Sequence, residues 1–373
     1  MDAIKIVNIQ QYCLRLPLVT PFRTSYGRLE TKAFDLLIVE DELGNQGIGE
    51  LVAFERADYI EETIDMSRSV LQKELIPCLF ELDFSHPSEI WSAFKHTQGN
   101  FMAKSAVETA VWDLYARRIG RPLQKLFSAE RSAIPVGVSI GVHDNPIDLL
   151  ATAKTYVDQG YQRIKLKITP GYDLVPLQAL REQYPEIQLM ADANSAYTIN
   201  DLPLFKKMDA LKLAMIEQPF HPRDYVDHAI LQKEIKTAVC LDENIRTLED
   251  VKTAHALGSC RAINLKIPRV GGITEALRIV DFCQENDLLV WLGGMFESGV
   301  GRAMNLHFAS QDCFTFPGDL SAFDRYFHDD IVEPKARITN GLLMIPGQSG
   351  IGVTWQEKQL LKYAYDKKTY RIK

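Results

Sequence analysis

Five ionisable residues stand in the middle of this 373-residue chain at almost constant spacing. Lys167, Asp192, Glu217, Asp242 and Lys266 follow one another at steps of 25, 25, 25 and 24 residues. Each closes a short apolar run: IKLK, LMAD, MIE, CLD and INLK. Three carboxylates packed together repel unless they are protonated or share a cation, and an all-oxygen donor set suits Mg2+ or Mn2+ rather than Zn2+. Lysines flanking such a set suit a carbon acid whose carboxylate binds the metal. One lysine removes the α-proton, the cation stabilises the enediolate charge, and the other lysine works from the opposite face.

The spacing also says which elements must hold these groups. An eight-unit βα barrel takes roughly 250 residues, and its active site forms at the carboxyl ends of its strands. The period therefore reads as one charged residue per strand, each at its carboxyl end. Candidate strands cover 134–140, 163–168, 187–192, 213–217, 238–242, 262–267, 288–293 and 313–316, with helices such as Leu248–Leu257 and Ile273–Asn286 between them. Strict alternation of strand and helix means a parallel sheet. Eight strands favour a closed barrel, and the absence of a Gly-rich dinucleotide fingerprint disfavours an open, doubly wound sheet.

Strand parity orients the side chains. In Ile164-Lys165-Leu166-Lys167-Ile168 the apolar residues suit the helix side, so Lys165 and Lys167 point into the lumen together. The same parity sends Asp192, Glu217, Asp242, Asn264 and Lys266 inward. Lys165 is expected to lower the pKa of Lys167 by like-charge repulsion. Two plainer readings compete: an edge strand with a wet face, and a metal-free salt-bridge network between the lysines and the carboxylates.

Residues 1–128 read as a separate α+β module. Strands are expected at 4–16 and 34–40, with GNQGIGE at 44–50 supplying turn residues, and helices at Tyr59–Leu75 and Ala103–Arg118, the latter stopped by Gly120 and Pro122. The barrel is expected over 129–320. Residues 321–373 show no clear βα pattern and are expected to pack back on the first module. A net charge of −7 gives no reason to expect nucleic acid or an anionic membrane surface as partner. No apolar run approaches the length of a membrane helix, and the strand-like start MDAIKIVNIQQYCLRL lacks the pattern of a secretory signal. The six scattered cysteines suit reduced thiols, so a cytoplasmic location is expected. His307 reads as a satisfied core or interface residue, and His221 and His228 as surface.

At this point the sequence resembles the enolase superfamily, within its muconate-lactonizing subgroup. The resemblance spans essentially the whole chain and rests on Lys165-x-Lys167, DANSAY from Asp192, EQP at Glu217, DEN at Asp242 and NLKIPRVGG around Lys266. For this superfamily, lysine bases with Mg2+ and an enediolate are a general property. The resemblance implies a (β/α)7β modified TIM barrel with an enolase-type α+β capping domain. It implies α-proton chemistry on a small-molecule carboxylate: the dehydration that yields o-succinylbenzoate in menaquinone biosynthesis, racemisation of N-succinylamino acids, or both. PFRTSYG at 21–27 resembles a lid loop, and GGMFESGVGR at 293–302 a segment that holds the substrate through Gly294, Met295 and Glu297. Arg269 resembles a feature of the branch that racemises N-acylamino acids. TFPGDLSAFD carries Asp319 but no DxD, which ranks dipeptide epimerisation lower. Further copies of the chain are expected as partners in a homo-oligomer.

Other positions carry open alternatives. Asn194 could hydrogen-bond the substrate or cap a helix, and Ser139 could touch the substrate or bond to backbone. Glu243 is a candidate additional contact beside Asp242. Phe22, Tyr59 and Phe323 could wall the pocket, although aromatics more often serve the core. Two different classes of function remain: a Schiff-base aldolase, which needs one lysine and no carboxylate triad, and a non-catalytic metal-binding protein.

Overall fold

The computed structural model describes residues 3–24 and 27–372, with the side chains of 22–28 outside that description. The amino-terminal module is built on an antiparallel sheet. Its strands are β1 (Ile4–Thr24), β2 (Gly27–Asp41) and β3 (Gln46–Leu51), ordered 1-2-3, and a strand from the far end of the chain (Ala364–Arg371) pairs with the free side of β1. Helix α1 (Ile64–Val70) begins after Thr63, whose side chain accepts the N–H of Met66. Residues 59–63 therefore precede the helix that the apolar pattern placed from Tyr59. Helix α2 (Phe101–Arg118) packs across β3. Glu62 satisfies its first N–H groups by accepting from Met102 and Ala103.

GNQGIGE works differently from expectation. The turn ends at Asn45, and Gly47 and Gly49 lie inside β3. A Cβ on Gly49 would stand 2.2 Å from the Ala106 carbonyl oxygen, and one on Gly47 2.3 Å from that of Ala110. These glycines let the α2 backbone approach the sheet.

The second module holds seven parallel strands: β4 (Gly137–Ile140), β5 (Arg163–Lys167), β6 (Gln188–Asp192), β7 (Met215–Glu217), β8 (Ala238–Leu241), β9 (Ala262–Leu265) and β10 (Leu289–Leu292). They are hydrogen-bonded in chain order. Helices follow most strands on the outside, including α3 (Val226–Glu234), α4 (Leu248–Leu257), α5 (Ile273–Glu285) and α6 (Gly299–Phe308). Ile164, Leu166, Ile168, Leu189, Ile216, Leu241 and Leu265 join the core between strands and helices. Met190, Met215, Cys240, Ala262 and Trp291 form a separate apolar plug, the lumen floor that strand parity requires.

The eighth strand expected at 313–316 does not form. Two residues take its place. The Asp319 N–H donates to the Leu292 carbonyl of β10 at 2.9 Å, and the Gly137 N–H of β4 donates to the Gly318 carbonyl at 2.9 Å. The architecture is thus the (β/α)7β barrel with its α+β cap, the last β being reduced to a bridge. Among the described residues no helix is long and apolar enough to cross a membrane. All six cysteines are free.

Candidate active site

The five periodic residues meet above the lumen floor. Lys167, Asp192 and Glu217 end β5, β6 and β7, and Asp242 and Lys266 follow β8 and β9 by one residue. Register pairs Lys167 with Asp192, and Asp192 with Glu217, across neighbouring strands. All three carboxylates are buried. Glu217 accepts from Asn264 Nδ2 at 2.7 Å, and burial, then Asp192, push its carboxyl up to about 8.

The lysines divide the carboxylates between them. Lys167 Nζ donates to Asp192 Oδ2 and Asn194 Oδ1, each at 2.6 Å. Lys266 Nζ lies 3.0 Å from Asp242 Oδ2, and Arg269 Nη1 lies 2.6 Å from Asp242 Oδ1. Burial alone raises the Asp242 carboxyl, but Arg269, Lys266 and Lys165 hold it well below the usual carboxylate range. Lys165 reaches Asp192 and Glu217 at 3.1 Å and Asp319 at 2.5 Å. Burial lowers the Lys165 ammonium, but Asp319, Glu217 and Asp192 outweigh it and hold the group well above its ordinary value. Its charge is therefore compensated, which undercuts the repulsion on Lys167 expected from sequence. Lys165 instead neutralises carboxylates at the floor of the site.

The donor chemistry of this set suits a divalent cation, although among the described residues the carboxylates are not gathered closely enough to hold one as they stand. The chemistry is right, with three buried carboxylates from consecutive strands. One of them, Glu217, is held above the usual carboxylate range by burial and then by Asp192, which nearby positive charge would relieve. A fourth carboxyl, Glu243, is buried, is pushed up to about 7 by burial, then Asp242 and Asp192, and leaves Oε2 without a hydrogen-bond partner among the described residues. In the arrangement described, lysines and Arg269 occupy the carboxylate oxygens, so a cation would enter by displacing them.

A cavity with about 560 Å³ of empty space opens over these groups. Lys165, Lys167, Asn194 and Lys266 line it, as do Ser139, Gly294, Met295, Glu297 and Tyr59. Ser139 is buried and its Oγ has no hydrogen-bond partner among the described residues, which leaves the hydroxyl for a ligand. Asn194 accepts from Lys167 and donates to Glu243 Oε1 at 2.8 Å, so it links that lysine to the carboxylates rather than capping a helix. The Met295 N–H is taken by Glu297 Oε2 at 2.8 Å, and Glu297 Oε1 accepts from Asn305, so this loop stabilises itself through Glu297. Tyr59 does more than form a wall. Its hydroxyl donates to Asp242 and accepts from Lys266 and Arg269.

Two expected wall residues fall elsewhere. Phe323 is outside the cavity lining, beneath Lys335 and Arg337 at 5.0 and 4.9 Å from its ring. The side chain of Phe22 lies outside the described residues, as do residues 25 and 26 of the expected lid loop 21–27 and the side chains of its residues 23, 24 and 27.

Sequence reasoning missed several contributors. Asp319 accepts from Arg163 at 2.5 Å and meets Lys165, so it closes the barrel electrostatically where the eighth strand is lacking. A Cβ on Gly293 would stand 2.1 Å from Asn264 Oδ1 and 2.8 Å from Lys266 Cε, so that glycine makes room for the second lysine. Phe54, Phe296 and Tyr326 form the upper wall. A glycine ending an apolar strand run was the one visible signal among these.

The comparisons with known proteins agree with this geometry. Residues 7–128 match the mandelate racemase / muconate lactonizing enzyme N-terminal domain, and residues 148–359 match the enolase C-terminal domain-like family. The o-succinylbenzoate synthase of Enterococcus faecalis is 56% identical over 96% of this chain and 98% of its own length. The N-succinylamino acid racemase of Thermus thermophilus is 42% identical over 91% of this chain and 92% of its own. A solved enolase superfamily member from Listeria innocua shares 47% identity and superposes with a TM-score of 0.97, covering 99% of both chains. This chain belongs to the enolase superfamily, in its mandelate racemase / muconate lactonizing branch.

Proposed function

We propose that the protein is an o-succinylbenzoate synthase that also racemises N-succinylamino acids, with a divalent metal, Mg2+ or Mn2+, held by Asp192, Glu217 and Asp242. The observation that carries this reading is the placement of Lys167 and Lys266. They project from strands four apart in sheet order, on either side of three buried carboxylates, into one cavity. The bound cation would supply positive charge to the substrate carboxylate as the α-proton leaves.

The chain's own groups do the rest. Lys167 takes the α-proton, for which it must first give up one of its own, and Asp192 and Asn194 hold its Nζ in place. In the dehydration Lys167 passes a proton to the departing hydroxyl, and Lys266 stays a cation that stabilises charge. In the racemisation Lys266 delivers a proton to the opposite face. One site serves both because enolisation is the shared costly step. One of the relatives named above is an o-succinylbenzoate synthase and the other an N-succinylamino acid racemase, which supports the pairing.

Dipeptide epimerisation is the weaker reading. The L-Ala-D/L-Glu epimerase of Bacillus subtilis is only 24% identical. Asp319 is engaged by Arg163 and Lys165, and residue 321 is a serine, so no free carboxylate pair awaits a substrate amine.

The test incubates the protein with a divalent metal and N-succinylamino acids in D2O, and in parallel with the cyclohexadiene carboxylate that dehydrates to o-succinylbenzoate. Deuterium uptake at the α-carbon together with dehydration is expected. Absence of both removes the proposal.

A further inference from the structure

Lys32 is a buried lysine that the chemistry above does not use. It sits on β2, 1% exposed, and its ammonium forms no ion pair among the described residues. An ammonium has three donors and is costly to bury without partners. Those of Lys32 go to three successive residues of the segment after β3: the carbonyl of Val52, the carbonyl of Ala53 at 3.1 Å, and the face of the Phe54 ring, whose centroid lies 4.1 Å from Nζ. A methionine or leucine would fill the same space without the desolvation cost, so packing alone does not explain the charge.

Phe54, with Tyr59, is a ring of the cap that lines the cavity. It meets Tyr59 edge-on at 5.9 Å and Phe296 at 6.4 Å, and Phe296 in turn meets Tyr326 at 4.8 Å. The four rings form a continuous wall from the cap to the loop after β10 and on to the segment after the barrel. Phe54 is its central link, and Lys32 holds Phe54 and the backbone before it from behind. Among the described residues no hydrogen bond or ion pair is found between Lys32 and the carboxylates of the metal set, and its ammonium is directed at Val52, Ala53 and Phe54.

We infer that Lys32 is a positioning residue for substrate specificity, which sets the Phe54 wall against the part of the substrate remote from the reacting carbon. This rests on the proposed function, because it assumes that the cavity takes those substrates. A displaced wall weakens binding of that part without moving the proton-transfer groups, so the effect falls on KM rather than kcat.

The experiment measures kcat and KM for N-succinylamino acid racemisation in the metal-loaded enzyme, the Lys32→Met, Phe54→Leu and double variants, and Lys32→Arg. Lys32→Met is expected to raise KM about tenfold with kcat changed less than about twofold. The double variant should be no worse than Phe54→Leu alone, since both remove one interaction. The pH profile supplies a second measurement on the unaltered enzyme, should Lys32→Met fail to fold. Burial lowers the Lys32 ammonium to about 8 against the opposing pull of Glu50, Glu297, Glu55 and Asp35 around it. KM should therefore climb above pH 8 as the charge is lost, and should not climb in Lys32→Arg. An unchanged KM in Lys32→Met, additive effects in the double variant, or a flat KM from pH 7 to 9.5 in the unaltered enzyme overturns the inference and leaves the proposed function standing. An unaltered enzyme inactive on both substrate classes removes the function and this role with it.

Discussion

Tyr59, from the cap, accepts a hydrogen bond from Lys266, from the barrel, at 2.7 Å. Lys266, the proposed second acid–base group, is thus held by a residue of the other module. The same hydroxyl donates to Asp242 at 3.0 Å and accepts from Arg269 at 2.8 Å, so it couples the lysine, a metal-set carboxylate and a buried guanidinium. Tyr59→Phe takes the hydroxyl from Lys266 and leaves it Asp242 and the face of the ring. Racemisation, which needs Lys266 to move a proton, should fall about tenfold or more, while dehydration, which needs only its charge, should fall less. Equal losses in the two kcat values would show that Tyr59 does not act through Lys266.

The two lysines predict different lesions. Lys167→Ala should lower both activities by at least about a hundredfold, the usual scale of a lost general base, with metal binding preserved. Lys266→Ala should abolish racemisation while leaving measurable dehydration and α-deuterium exchange of one enantiomer. Metal affinity by calorimetry separates these outcomes from loss of the site. Removal of the cation by a chelator should silence both reactions, and added Mg2+ or Mn2+ should restore them.

Packing of the cap depends on Gly49. The nearest atom to an added Cβ there is backbone, the Ala106 carbonyl oxygen at 2.2 Å, and backbone cannot swing aside. Gly49→Ala should therefore destabilise the protein by about 1–3 kcal/mol, the scale of overpacking, as read from denaturant unfolding. Gly44, whose added Cβ would meet nothing, has a φ of +82°, so Gly44→Ala should cost stability through backbone strain alone, about 1 kcal/mol or more.

The periodic residues were readable because two independent constraints act on them. Period-two alternation decides which side chains of β5 to β9 face the lumen, and barrel closure removes the edge on which an inward lysine would be unremarkable. Lys167, Asp192, Glu217, Asp242 and Lys266 satisfy both. Asp319 satisfies neither, because a two-residue bridge carries no alternation. Phe54, Phe296 and Tyr326 were invisible for a related reason: they stand on irregular segments, where an aromatic has no phase to read. Gly47 and Gly49 read as turn formers in sequence because glycine's conformational freedom and its lack of a side chain leave the same mark there. His228 was read as surface, yet it is fully buried on α3.

That histidine and His307 give the acid limb of stability. His228 Nε2 accepts the N–H of Phe220 at 3.3 Å, and His307 Nδ1 accepts the N–H of Gln124 at 3.3 Å. A proton on either nitrogen would face a donor, and burial pushes both imidazoles down to about 4. With folded values below the ordinary 6.5, the unfolded chain binds more protons between pH 6.5 and 4. Their contribution to stability is therefore complete above 6.5 and is lost as the pH falls toward 4. Glu217 and Glu243, held above the ordinary carboxylate value, shift the total the other way over the same window, so the share of each histidine, a loss of about 2 kcal/mol from pH 7 to pH 5, is read by urea unfolding as the difference between the unaltered protein and the histidine variant. His228→Gln should remove its share of that slope, because glutamine does not titrate. A slope unchanged by the substitution would mean that His228 is protonated in the native state at pH 5, which would contradict its hydrogen bond from Phe220.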